Sequence, residues 1–341
     1  MSALPYNLSL HRRLYTGESV QQAHRAIDAL STGESPIPAA DSTAQQHLEA
    51  RLLLALIEFR SVYTRYPLGI AAVHPDPDGI ALTVESEERA TEILFSILPA
   101  YMPGEEVHGV PGLRITRRDR TAIELHVLGQ PTRLRLAGLP ARVWRVAEEN
   151  TLAKWIDPGR MNLSWRSSPR SWTEAEREHH AQWEDPGDHY VQVTLRGSWL
   201  SSGLLRRAAL LHTVADTFLV DGYRGSAFDV ARLVLRCSHV PGKGPGPYNI
   251  VAALLDPLCG LPLHITRFSG DTAEGCSGDQ RFVLEDDAKT VVLDIRAAVD
   301  PPPSRLSPDL WQSILRRLPR AGFTPSPPRG ALAGLLLRGS L

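Results

Sequence analysis

The sequence predicts an α+β fold of two lobes, each a small antiparallel or mixed sheet packed with helices, joined by a Trp-anchored polar segment. Helix and strand patterns occur in clusters and do not alternate strictly, which favours α+β over a doubly wound sheet. The chain has 341 residues, 43% of them apolar, and this length exceeds the size at which single cores usually divide. Six of the seven tryptophans lie in one otherwise polar stretch, at positions 144, 155, 165, 172, 183 and 199. Since a buried indole covers a large area, these rings are expected to anchor the stretch.

The composition of successive segments predicts the domain boundaries. An N-terminal α+β domain with an Arg-rich sheet face is expected at 1–155, and a C-terminal α+β domain at 189–320. Between them, residues 156–188 are poor in Leu, Ile and Val and rich in Pro, Ser and charge, which is typical of a linker. Residues 321–341 form a Pro-rich and then apolar tail.

Helix starts in the first domain follow the capping-box pattern, in which a Ser or Thr and a Gln or Glu three residues later satisfy each other's backbone N–H groups. Ser19 with Gln22 and Thr43 with Gln46 match this pattern, and an apolar stripe follows each pair. The other elements expected there are a hairpin at 68–73 and 80–84 with a turn at Asp78-Gly79, and a helix at 86–98 that begins at Ser86. Strands are expected at 113–118, 122–128 and 133–136, and a helix at 140–155.

In the rest of the chain, Thr173 and Glu176 are expected to open a short helix inside the linker. Apolar and polar residues alternate at 189–196, which predicts a strand. The elements expected after it are helices at 203–218, 226–237 and 248–255, strands at 263–268, 281–284 and 290–297, and a last helix from Ser307.

Composition also restricts the class of protein. The formal net charge of −1 argues against a general polyanion binder and against a membrane-surface protein. Lysine is rare and Arg, Ala, Pro and Gly are abundant, a bias that a bacterial genome rich in G and C explains. The three cysteines show no C-x-x-C spacing, so neither a disulfide framework nor a zinc ribbon is expected. With neither a leader pattern nor a membrane-length apolar run, the sequence predicts a cytoplasmic protein.

The first candidate site is the Arg-rich segment 114–145. On the expected strand register, Arg114 and Arg118 share one face of their strand, and Arg133 and Arg135 share the outward face of theirs. Such a face suits phosphates or single-stranded nucleic acid. The alternative is that the acidic segment 172–189 covers and neutralises it.

The second candidate site begins with His212 and Asp216, which are four residues apart in an expected apolar helix and so can meet on one face. The carboxylate would orient the imidazole and raise its basicity, as a general base requires. Asp221, Tyr223 and Arg224 follow in an expected Gly-bounded turn, where binding groups concentrate. The alternative is a buried ion-pair network that joins two helices.

A histidine cluster and a Gly-rich stretch match no known metal or phosphate-binding motif, so neither a metal nor a cofactor is expected. His179, His180 and His189 lie among carboxylates, but their spacing matches no compact metal motif. The Gly-rich stretch at 242–246 has no Ser or Thr after Lys243, and its prolines remove N–H donors that a phosphate loop needs.

The sequence as a whole favours an intracellular binding or adaptor protein that recognises a protein partner, with Asp221, Tyr223, Arg224 and the Arg-rich face as binding residues. Two alternatives stay open. One is a hydrolase-like enzyme that uses His212 and Asp216, with Arg224 holding an anionic group. The other is a nucleic-acid accessory protein that uses the 114–145 face. No role at a membrane is expected.

Overall fold

The structure is a computed structural model, and it describes residues 3–31, 33–57, 65–155, 158–184, 187–212, 217–227, 229–239, 247–269 and 280–299. The helix expected from Ser307 and the tail expected at 321–341 lie outside these residues. Within them, every helix is too short or too polar to cross a membrane.

The described elements form an α+β fold with two five-stranded sheets packed with helices, as the sequence predicts. The helices are α1 (Ala3–Thr16), α2 (Val20–Asp28), α3 (Thr43–Ile57), α4 (Glu87–Ile97), α5 (Ala141–Ala153), α6 (Ser164–Ser167), α7 (Glu174–Glu184), α8 (His189–Arg196), α9 (Ser198–Leu205) and α10 (Tyr248–Leu254). The strands are β1 (Ile70–Asp76), β2 (Gly79–Val84), β3 (Ala100–Tyr101), β4 (Leu113–Arg118), β5 (Ala122–Val127), β6 (Leu134–Ala137), β7 (Asn162–Leu163), β8 (Thr217–Ala227), β9 (Val230–His239), β10 (His264–Ser269), β11 (Gln280–Glu285) and β12 (Val291–Val299).

The chain divides into two compact units, each built from separate stretches of sequence. Unit 1 comprises Met1–Pro38, Arg60–Leu68 and Arg207–Leu341, and unit 2 comprises Ala39–Phe59 and Gly69–Arg206. The described part of the segment expected as a linker therefore belongs to unit 2.

Unit 2 contains a mixed sheet with the strand order β1-β2-β6-β5-β4. β2 and β6 run parallel, and the other pairs are antiparallel. The expected hairpin, the three following strands and the helix at 140–155 are confirmed. The cap of α4 is also as expected, since the Ser86 side chain accepts from the Arg89 N–H. At α3 the cap is Ser42 instead of Thr43, because the Ser42 hydroxyl accepts from the Gln45 N–H.

The tryptophans of the polar stretch are partly to fully buried where the structure describes them. Trp144 and Trp165 are buried, and Trp155, Trp172 and Trp199 are half-buried. The side chain of Trp183 lies outside the described part.

A buried ion pair fixes α3 and the end of α9 against the β1–β2 hairpin. Glu49 and Arg206 are fully buried, and Arg206 donates from Nε and Nη2 to the two Glu49 oxygens at 2.7 and 2.6 Å. Arg206 also donates to the carbonyls of Asp76 and Gly79. The carboxylate accepts a further bond from Ser202. These bonds satisfy both charges inside unit 2.

Unit 1 contains the second sheet, with the order β10-β11-β12-β9-β8. β12 and β9 are parallel, and the other neighbours are antiparallel. One face lies against α10, where the rings of Phe268 and Phe282 contact Tyr248. The N-terminal helix α1, for which the sequence analysis offered no expectation, joins this unit through a hydrogen bond from the Tyr15 hydroxyl to the Ala253 carbonyl at 3.0 Å.

Three secondary-structure expectations between residues 189 and 237 are wrong. Residues 189–196 form α8 instead of a strand, and the Asp188 side chain caps it by accepting from the Val191 N–H. In place of the helix expected at 203–218, the structure has the end of α9, a short 3-10 turn and the start of β8. In place of the helix expected at 226–237, it has the end of β8 and most of β9. In β9, the buried Leu233, Leu235 and Cys237 share one face at the two-residue period of a strand.

Candidate functional site

The arginines expected to form one face within segment 114–145 do not all share a face. Arg114 lies opposite His126 and Arg118 lies opposite Ile123, positions three residues apart on β5. Because side chains alternate along a strand, this odd spacing places the two arginines on opposite sides of the sheet. A register shift within β4 causes the inversion. The expectation that Arg114 and Arg118 share a face is therefore wrong.

Arg114 is buried beneath the acidic segment. It is 1% exposed and donates to both oxygens of Glu176 at 2.9 and 2.8 Å. Burial raises the pKa of Glu176, but hydrogen bonds from Arg114, Thr173 and Gly112 outweigh it and hold the pKa below its usual value. The expected Thr173–Glu176 helix start is confirmed, since Glu176 N–H donates to the Thr173 hydroxyl and Thr173 N–H donates to the Glu176 carboxylate.

Trp172 holds this segment in place. Its Nε1–H donates to the Leu128 carbonyl at 3.2 Å, and its ring lies directly over Gly112. A Cβ atom at Gly112, whose φ is 78°, would lie 2.4 Å from that ring. The acidic segment, which Trp172 anchors, therefore covers Arg114, as the alternative interpretation of the sequence predicts.

The other three arginines expected on that face each meet a carboxylate. Arg118 donates to Glu148 of α5 at 3.1 and 2.7 Å, and Arg133 donates to Asp78 at 2.5 Å. Arg135 lies 3.7 Å from Asp119 and 4.0 Å from Glu124. Each of these three arginines is therefore partly neutralised by a carboxylate of unit 2.

The expected helical pair of His212 and Asp216 is not seen. His212 has extended backbone angles at the end of the 3-10 turn Ala208–Leu211, and its ring contacts the Tyr66 ring edge-on at 4.7 Å. Asp216 lies outside the described residues. A catalytic role for the pair stays a prediction.

Asp221, Tyr223 and Arg224 do not form the expected turn, because all three belong to β8. Asp221 lies opposite Arg236, Tyr223 opposite Val234, and Arg224 opposite Leu233. Asp221 and Tyr223 therefore share a face of the second sheet, and Arg224 lies on the other face.

The face that Asp221 and Tyr223 share also carries Arg232, Arg236, Arg281 and Arg296, and we name these four residues the arginine face. Arg236, Arg296 and Arg281 lie directly beside one another on β9, β12 and β11, and these three are the arginine row. The four side chains are between 30% and 48% exposed. They point away from the face that contacts α10.

Two buried carboxylates orient the arginine face. Asp294 is fully buried, and it accepts two bonds from Arg281 at 2.8 and 2.9 Å, two from Arg296 at 3.1 and 2.9 Å, and one from Arg232. Burial raises the pKa of Asp294, but the three arginines lower it to about 2. Asp221 accepts two bonds from Arg236, and its hydrogen bond is the main reason why the pKa of Arg236 is raised.

One exposed aromatic ring adjoins these charges. Tyr223 is 41% exposed and lies opposite Val234, which is two residues from both Arg232 and Arg236 on β9. The four guanidinium groups and the two carboxylates that bind them carry two net positive charges between them. Guanidinium groups that are oriented and partly exposed in this way can donate hydrogen bonds to anionic groups.

The sequence places Asp221, Tyr223 and Arg224 in one candidate binding site but does not indicate the arginine row. Asp294 and Arg296 do show the two-residue spacing of one strand face. Which strands lie side by side, however, depends on the parallel pairing of β9 with β12, which no local pattern specifies.

Among the described residues, one group of three potential metal ligands lies close together, and it contains none of the histidines considered from sequence. It consists of His11, Asp256 and Cys259, all buried. No model of a protein family matches the chain, and comparison with curated proteins and with solved structures finds no significant match either.

Proposed function

We propose that the protein is a binding or adaptor protein that recognises an acidic segment of a protein partner through the arginine face. The observation that carries this proposal is the arginine row, in which three guanidinium groups on adjacent strands are held from beneath by buried carboxylates. Neighbouring strands are about 4.8 Å apart, so the row extends over about 10 Å. This spacing allows it to contact several carboxylates of one partner segment.

The bonding pattern leaves one side of each arginine for a partner. Arg281 and Arg296 bind Asp294 through Nε and Nη2, and Arg236 binds Asp221 through the same two atoms. In the part of the chain that the structure describes, their Nη1 groups are not used in these pairs. Because the side chains are already oriented, a partner's carboxylate would immobilise them at a reduced cost in entropy.

The charge balance favours an acidic protein over nucleic acid. A nucleic-acid binder gains affinity from many uncompensated phosphate contacts, whereas each of these arginines is already paired with a carboxylate of its own sheet. Binding of single strands also uses several aromatic platforms, and Tyr223 is the exposed ring observed beside the row. Arginine and tyrosine are, with tryptophan, the residue types enriched among the few residues that dominate binding energy at protein interfaces.

The test compares a fluorescent peptide of alternating Glu and Thr, whose carboxylates line one side of an extended strand, with its Gln and Thr counterpart. Fluorescence anisotropy at low ionic strength should show binding of the acidic peptide, weakened by added salt. The double variant Arg236→Gln, Arg296→Gln should bind at least about tenfold more weakly. The matched control is Arg142→Gln, Arg145→Gln, which removes two exposed arginines of α5 and should leave the affinity unchanged.

Circular dichroism must show that both double variants fold. Equal binding of the Glu and Gln peptides, or unchanged affinity in the Arg236 and Arg296 variant, would overturn the proposal. Tighter binding of single-stranded oligothymidylate, lost in the same variant, would assign the arginine face to nucleic acid and would equally overturn it.

We further propose that the protein works in the cytoplasm, with a bacterial source expected from composition alone. Cys237 and Cys259 are buried thiols outside any disulfide, and burial raises the pKa of Cys237 to about 12. Such thiols suit a reducing compartment. Fractionation of cells that produce the chain should recover it with cytoplasmic markers, and recovery with secreted or envelope markers would contradict this location.

A further inference from the structure

The buried cluster of His11, Asp256 and Cys259 has the composition of a metal site. Imidazole nitrogen, carboxylate oxygen and thiolate sulfur are the three ligand types that Zn²⁺ takes in proteins. One ligand atom from each residue lies within 4.8 Å of the other two. All three ligands lie within unit 1.

Asp256 and Cys259 are brought together by the turn after α10. The Asp256 side chain accepts from the N–H groups of Leu258 and Cys259, both at 2.7 Å, through Oδ1. This leaves Oδ2, which faces His11. Asp256 and Cys259 are separated by two residues, and zinc ligands supplied by one turn commonly have this spacing.

The turn is rigid, and it is fixed to its surroundings. Arg207 donates from Nε to the Cys259 carbonyl at 2.5 Å and from Nη2 to the Gly260 carbonyl at 2.8 Å. At Gly260, a Cβ atom would lie 2.5 Å from the Asp256 carbonyl oxygen, so the turn closes tightly on itself. Tyr15, one turn after His11 on α1, packs in a buried apolar cluster with Cys259. Asp256 and Cys259 are therefore held in place by the turn before any ion binds, and Tyr15 packs α1 beside them.

The distance between His11 and Asp256 fits ligands of one ion. His11 Nε2 lies 3.4 Å from Asp256 Oδ2, which is longer than a charge-assisted hydrogen bond of about 2.8 Å. For a tetrahedral zinc ion with Zn–N and Zn–O bonds of about 2.1 Å, the nitrogen and oxygen would be about 3.4 Å apart.

We propose that His11, Asp256 and Cys259 bind one Zn²⁺ ion, which links α1 to the turn after α10 and stabilises unit 1. On binding, the Cys259 S–H bond breaks, the Zn–S bond forms and the proton leaves to solvent. The thiolate and the Asp256 carboxylate then balance the two charges of the ion. Because the cluster is buried, the metal enters during folding or local opening, and its role is structural.

The first test is the zinc content of the chain, produced without a polyhistidine tag and measured by plasma mass spectrometry. We expect one zinc ion per chain in the wild type and in Cys237→Ser, which changes a buried cysteine of β9 outside the cluster. Cys259→Ser should retain less than a tenth of that amount. Zinc at background level in the wild type, or equal zinc in the two cysteine variants, would overturn the proposal.

A second measurement keeps the test decisive if Cys259→Ser does not fold. Asp256→Asn retains a side-chain oxygen for the Leu258 and Cys259 N–H groups but loses the anionic ligand. After chelation and titration with Co²⁺, the wild type should show a thiolate-to-cobalt charge-transfer band, and Asp256→Asn should need at least tenfold more Co²⁺ to develop it. Absence of the band in the wild type would overturn the proposal.

Discussion

Replacement of Asp294 by Asn tests whether the buried carboxylate holds the arginine face together. Asp294 is fully buried and accepts from three arginines. Its pKa is lowered from 3.8 to about 2, and a shift of this size corresponds to about 2 kcal/mol of stability at neutral pH. The neutral amide also leaves three neighbouring guanidinium groups without their shared anion. Since those groups are partly exposed and regain water, we expect a total loss of about 2 to 3 kcal/mol.

The pH dependence of this loss has a definite sign. The folded-state pKa of Asp294 lies below the unfolded value, so the contribution is complete at neutral pH and is lost as pH falls from about 4 towards 2. Wild type and Asp294→Asn should therefore differ at pH 7 and converge near pH 2. Hydrogen exchange of the β9, β11 and β12 amides measures the free energy of opening of this sheet.

The matched control is Asp287→Asn. Because Asp287 is 82% exposed, its pair with the half-buried His264 is expected to contribute less than about 1 kcal/mol. A change below about 0.5 kcal/mol in Asp294→Asn would refute the reasoning. So would a difference from wild type that is the same at pH 7 and at pH 2.

Other substitutions address unit 2. Glu49→Gln removes the charge that pairs with the buried Arg206 and should cost about 3 to 5 kcal/mol in urea unfolding; a cost below about 1 kcal/mol would contradict the assigned pair. Gly112→Ala should cost more than Gly129→Ala, since both glycines have positive φ but only Gly112 has Trp172 within contact of the added Cβ, and Gly129 has nothing within 4 Å. We expect about 1 kcal/mol for the conformation alone, and equal melting temperatures for the two variants would argue against the Trp172 contact. In Gly112→Ala, trypsin should also cut the native chain faster at Arg166 and Arg170, and cleavage at the wild-type rate would show that Trp172 does not secure the segment.

Much of unit 2 could be predicted because its elements are encoded locally. The Ser86 cap, the Asp78-Gly79 turn and the Thr173–Glu176 pair each specify a boundary within a few residues. The strand expected at 189–196 failed because its Val, Thr and Tyr side chains favour a strand in isolation, whereas the Asp188 cap and the burial of Val193 select a helix.

The candidate site could be predicted only in part, since strand pairing decides which residues meet. Arg232 and Arg236 have helical spacing, which concealed the strand period of Leu233 and Leu235 between them. The row forms when β9 pairs with β12, a segment far away in the sequence. The register shift within β4, which separates Arg114 from Arg118, likewise leaves no mark in the residue pattern.

Because three arginines share Asp294, this surface should tolerate substitution of a single arginine better than substitution of Asp294. Loss of Arg232 or Arg281 alone leaves the carboxylate with two cations, so related sequences can vary at either position and still fold. No neighbouring acid in the described strands duplicates the bonds that Asp294 makes. In a saturation mutagenesis screen that measures the abundance of folded protein, almost no substitution of Asp294 should be tolerated, whereas many substitutions of Arg232 or Arg281 should be.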